Sequence, residues 1–125
     1  MAVKITDAGR ADSIGKERDD CTVRALALCL DIPYMDAYVK MALLGRKKNK
    51  GFPFRLPNLG SLAKKFEIRP DLSCRMLGKA LPEMQSGRFI VRIRRHVFAV
   101  INGEILDRVP LKTTERIKMV YQYES

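Results

Sequence analysis

Asn102-Gly103 separates two apolar runs, HVFAVI and EILD, and this pair constrains the chain more than any other feature. Asn-Gly favours a two-residue hairpin turn, because both positions tolerate positive φ. A turn of that length fixes the register: paired residues have numbers summing to 205. Ile101 then faces Glu104, and Phe98 faces Asp107. The preceding run, GRFIVRIRR, alternates Phe89, Val91 and Ile93 with Ile90, Arg92 and Arg94, as a strand does. The tail RIKMVYQYE reads as a last strand.

The first half of the chain speaks a different language. In DDCTVRALALCL, residues 19–30, Val23 and the residues from Ala25 to Leu30 are apolar on nearly every side of a helix. A helix of that kind is buried, with Asp19 or Asp20 as its cap. A second helix starts at Pro33, carries Tyr34, Ala37, Tyr38, Met41, Ala42 and Leu44, and ends at Gly45. Asn58 can cap a third, through Leu59, Leu62, Ala63 and Phe66. Ser73 can cap a short fourth, closed by Pro82. Helices first and an antiparallel sheet second give an α+β class. The 125 residues suit one domain, with residues 1–18 as an irregular arm.

Composition narrows the setting. The chain is 46% hydrophobic and 30% charged, so it can build a core. No apolar run nears the ~18 residues of a membrane span, and the polar N-terminal stretch lacks a secretory h-region. We expect no membrane association and a cytoplasmic setting. Cys21, Cys29 and Cys74 are irregularly spaced, with no CxxC pair, so neither a disulfide framework nor a zinc site is expected, and no cofactor. The net charge of +10 favours a polyanionic partner. The densest basic run, residues 45–55, offers Arg46, Lys47, Lys48, Lys50 and Arg55 to nucleic acid or an acidic protein.

The chemistry-bearing residues fall on these elements. Cys21 stands at a helix start, where the helix dipole favours a thiolate. His96, the single histidine, opens the HVFAVI strand. The hairpin register puts Asp107 one diagonal step from His96 on the same sheet face, about 7–8 Å away at the backbone. A nucleophilic thiol, an imidazole that shuttles its proton and a carboxylate that orients the imidazole form a working set. Simpler roles exist for each: Cys21 and Cys29 as core packing, Asp19 and Asp20 as caps, Arg24 as a buried partner for an acid. The charge of Asp19 and Asp20 would oppose a thiolate unless at least one is turned away or paired.

Helix-cysteine, strand-histidine and aspartate in this order resemble the papain-like cysteine peptidase superfamily. DCTVRALAL followed by GRFIVRIRRHVFAVINGEILD is similar to the bacteriocin-processing peptidase domains of ABC exporters. It is closer still to small phage and bacterial proteins that begin Asp-Cys-x-x-Arg-Ala-Leu. The box Asp-x-x-Cys-x-x-Arg-Ala of ovarian-tumour-type deubiquitinases is matched in part, since Asp19 precedes the cysteine by two positions. The resemblance covers roughly residues 19–44 and 87–109. It implies a buried helix with Cys21 as nucleophile, packed on a sheet carrying His96 as base and Asp107 as orienting acid. The activity implied is hydrolysis of a peptide or isopeptide bond, with a protein or peptide substrate. The family usually supplies a glutamine about six residues before the cysteine, where this chain has Gly15. The Cys21 N–H, with a donor from residues 15–20, would then hold the oxyanion. The alternative is a catalytically silent basic protein of the same fold.

Overall fold

The computed structural model describes residues 3–10, 19–107, 111–112 and 114–124. The hairpin forms as its turn demands. Asn102 and Gly103 both hold positive φ, 49° and 82°. Strand β4 (His96–Ile101) pairs with β5 (Glu104–Asp107) in the expected register, Ile101 opposite Glu104 and Ala99 opposite Leu106. β3 (Arg88–Ile93) pairs with β4 on the other side, placing Ile93 opposite His96. β6 (Met119–Tyr123) follows β3, and β2 (Phe66–Ile68) closes that edge. The far edge is β1 (Val3–Ile5), which lies parallel to β5. The order is β1-β5-β4-β3-β6-β2.

The class is α+β, with five strands antiparallel and β1 parallel to its neighbour. β1 corrects the expectation of an irregular arm at Val3–Ile5, and residues 11–18 of that arm lie outside the described residues. β1 pairs with β5 as far as Ile5 opposite Asp107, and the Thr6 N–H continues the ladder to the Asp107 carbonyl at 2.8 Å.

Helix α1 (Cys21–Leu30) starts and stops where the sequence indicates. Val23, Leu26 and Cys29 are fully buried. Burying a side chain such as Leu26 is worth about 1.5–3 kcal/mol, so this helix is a principal source of cohesion. Its C-terminus is closed by Asp31 in the left-handed conformation. Arg88 also reaches from β3 to donate to the Leu28 and Cys29 carbonyls at 3.2 and 3.0 Å. Helix α2 (Tyr34–Leu43) packs Tyr34, Ala37 and Met41 against α1 and leaves Met35, Val39 and Leu43 exposed.

The third expected helix does not form. Pro57 lacks an N–H and Gly60 sits at φ 55°, so the chain makes two 3₁₀ segments, Leu56–Asn58 and Gly60–Lys65, before Phe66 enters β2. Asn58 caps nothing; its amide donates to the Pro53 carbonyl at 3.5 Å. The fourth is one turn, α3 (Leu77–Ala80), continued by a 3₁₀ segment over Leu81–Met84. Pro82 lies inside that continuation rather than ending the element, and the Ser73 hydroxyl donates back to Pro70 instead of capping α3.

Both sheet faces are covered. One carries α1, α2 and the 52–63 segment over Ile90, Val97 and Tyr121. The other carries Leu72, Leu77, Ala80 and Met84 over Phe89, Val91, Phe98 and Val100. No helix among the described residues is long and apolar enough to cross a membrane.

Candidate active site

The N-terminus of α1, the start of β4 and the end of β5 meet at one end of the sheet. Each brings one side chain. His96 Nε2 lies 2.5 Å from Asp107 Oδ2. That leaves the other ring nitrogen, Nδ1, for Cys21, whose thiol is hydrogen-bonded to the imidazole and to the Val97 N–H. The imidazole also stacks near Phe98, with ring centres 6.0 Å apart. The hairpin register and the position of Cys21 thus join all three candidate residues into one hydrogen-bonded relay. Asp107 is buried, while His96 and Cys21 are partly open.

Behind the relay sits a second, largely buried layer. Arg24, one turn after Cys21, donates from Nε to Asp20 Oδ1 and from Nη1 to Asp107 Oδ1, both at 3.1 Å. The Tyr34 hydroxyl donates to Asp20 Oδ2 at 2.9 Å, and Arg10 approaches the same carboxylate at 3.4 Å. Asp20 therefore does not cap α1 with its side chain. Its charge is spent on Arg24 and Arg10, as a thiolate next door requires. Asp19 is exposed at φ 51°, and its carbonyl accepts from Arg46 at 3.4 Å. Arg24 is the buried partner for an acid that its position in the sequence suggests, and it takes two acids rather than one. It locks the nucleophile's helix to the strand that bears Asp107.

The electrostatics follow from these contacts. Burial opposes ionisation of Cys21. The hydrogen bond and charge of His96, the Val97 N–H and the charge of Arg24 together outweigh it and hold the thiol below its ordinary range. Burial likewise works against a charged His96, but its bonds to Asp107 and Cys21 push it up to about 9. Both shifts favour a thiolate beside an imidazolium. Cys29 is the contrast: burial pushes it up to about 12, as a packing residue should be. Cys74 is exposed.

The relay opens into a cleft of about 370 Å³ lined by Cys21, Thr22, His96 and Val97 together with Gly51–Phe54 and Arg92. Two hydroxyls pin the 51–54 wall. Thr22 donates to the Phe52 carbonyl at 2.7 Å, and the buried Tyr121 hydroxyl donates to the Phe54 carbonyl at 3.0 Å. Sequence reasoning missed Thr22, Tyr121 and Arg92. Only the position of Thr22, beside Cys21, could have flagged one of them.

Of the basic run, Lys47, Lys48, Lys50 and Arg55 are exposed. Arg46 departs from the expectation of a polyanion contact. It is buried, with its guanidinium 5.6 Å from the centre of the Tyr38 ring. Among the described residues no group of His, Cys, Asp and Glu could hold a metal ion. Gly15, at the position where the resembled family has a glutamine, lies outside the described residues, as do residues 16–18 of the expected second oxyanion donor. No family model matches the chain, and no curated protein or solved structure does either.

Proposed function

We propose that this chain is a papain-like cysteine hydrolase that cleaves a peptide or isopeptide bond. The observation that carries the reading is the unbroken relay Cys21–His96–Asp107 at the floor of an open cleft. The Cys21 thiolate attacks the substrate carbonyl carbon, and the carbonyl π pair moves to oxygen. The Cys21 N–H, in the first turn of α1, is oriented towards that developing charge by the helix start. When the tetrahedral adduct collapses, the C–N bond breaks and the His96 imidazolium protonates the leaving amine. A thioester on Cys21 remains. His96, now neutral, takes a proton from water, which attacks the thioester. Collapse of that adduct releases the carboxylic acid and restores the thiolate–imidazolium pair. Asp107 holds the imidazole ring throughout, and Arg24 holds Asp107.

The test is to incubate a denatured proteome with the protein and count new N-termini by mass spectrometry. Cleavages present with the wild type and absent with both Cys21→Ala and His96→Ala support the reading. Identical patterns in all three overturn it. The exposed Lys47, Lys48, Lys50 and Arg55 supply a second reading, a silent basic binder. Binding of that kind survives Cys21→Ala and falls steeply as salt rises.

A further inference from the structure

Arg92 is a cation in the lining of the Cys21 cleft. It lies on β3, opposite Val97 of β4 and Met119 of β6. Its side chain is half-buried, and its Nε is buried without a hydrogen-bond partner. Leaving such a donor unsatisfied costs about 1–3 kcal/mol. Arg24, Arg69 and Arg88, by contrast, are engaged: Arg24 with two aspartates, Arg69 with Asp71, Arg88 with helix carbonyls.

Arg92 also lines two depressions at once. One is the Cys21 cleft. The other, about 480 Å³, is lined by Arg55, Leu56, Pro57, Ile68, Met119 and Tyr121. The two depressions share Arg92 as a lining residue. Arg95 adds charge at the Cys21 end and Arg55 at the far end. The walls between are apolar: Phe52, Pro53 and Ile93, then Leu56, Pro57 and Met119. An extended chain with apolar stretches and a carboxylate fits this lining. Three arginines line the two depressions, while Lys47, Lys48 and Lys50 line neither, so the apolar lining between the arginines favours a peptide over a polynucleotide.

Resting on the hydrolase reading above, we propose that Arg92 selects substrates carrying an acidic side chain close to the scissile bond. The planar guanidinium meets a carboxylate through paired N–H donors.

The test uses tripeptide fluoromethyl ketones that alkylate Cys21, with alanine elsewhere and Glu or its neutral isostere Gln at each position in turn. Iodoacetamide labelling of Cys21 is measured alongside. At one position the Glu probe should label the wild type at least roughly tenfold faster than the Gln probe. In Arg92→Gln that ratio should fall to near one, with iodoacetamide labelling unchanged. Arg92→Met, which keeps the stem packing, serves if the Gln variant fails to fold. Equal Glu and Gln rates with fast, His96-dependent iodoacetamide labelling overturn the acidic subsite and leave the hydrolase reading standing. Slow, His96-independent iodoacetamide labelling overturns both. An oligothymidylate that blocks the Glu probe, and no longer binds after Arg92→Gln, overturns the proposal in favour of a nucleic-acid groove.

Discussion

Replacing Arg24 with methionine removes the guanidinium that joins Asp20 to Asp107 and keeps most of the apolar stem. Both carboxylates are 2% exposed, and each is 3.1 Å from the arginine. Removing one member of a buried ion pair costs about 3–5 kcal/mol, because the partner is left charged and dry. Two carboxylates are affected here, which raises the cost. Each keeps another partner, Tyr34 on Asp20 and His96 on Asp107, which lowers it. We expect a loss of about 3 kcal/mol, at the lower end of that range. In a domain of this size the midpoint of thermal unfolding should fall by roughly 10–15 °C. Urea unfolding followed by circular dichroism measures it, with the m-value unchanged if the native fold persists. Arg24→Lys should recover only part of the loss, since an ammonium cannot fork between two carboxylates as a guanidinium does. A loss below about 1 kcal/mol, the worth of a surface pair, would refute the bridge as the link between α1 and β5.

Further outcomes follow from the same contacts. Since His96 is raised from 6.5 to about 9, the stability it contributes is full below its unfolded value and is lost as pH rises through about 9; urea midpoints of wild type and His96→Ala should converge across that window. Hydrolysis should fall on the alkaline side near the same pH, where the general acid is lost, and on the acid side as Cys21 is protonated, giving a bell-shaped profile. Arg88→Ala should cost about 1–2 kcal/mol through the two α1 carbonyls it leaves, with Cys21 alkylation rates unchanged. Gly103→Ala forces a side chain into φ 82° and against Gln85, and should lower stability by about 1–2 kcal/mol in a urea melt.

What was legible in the sequence traces to short-range rules. Asn102-Gly103 sets a register without reference to the rest of the molecule, so the pairing that brings Asp107 towards His96 could be written down in advance. The all-round apolarity of Val23 to Leu30 likewise announces a buried helix whatever it packs on. The misses need tertiary information. Val3–Ile5 is a strand because β5 offers a free edge, which no local pattern reveals. Residues 59–66 have helical spacing, but Gly60 and the pull of β6 on Phe66 override it. Asp20 reads as a cap from its position, yet Arg24 and Tyr34 claim its carboxylate. Arg24 reads from the sequence as a buried partner for an acid, and the fold gives it two, whereas nothing local sets Arg92 apart from the other basic residues.

The most direct measurement is the pH dependence of Cys21 alkylation by iodoacetamide, mapped by mass spectrometry in the wild type and in His96→Ala. The relay requires Cys21 to label with an apparent pKa well below the ~8.5 of a free thiol, and to lose that advantage in His96→Ala, while Cys29 stays unlabelled in both. A Cys21 that labels as an ordinary thiol whether or not His96 is present would contradict the account and leave the cysteine as packing at a helix start.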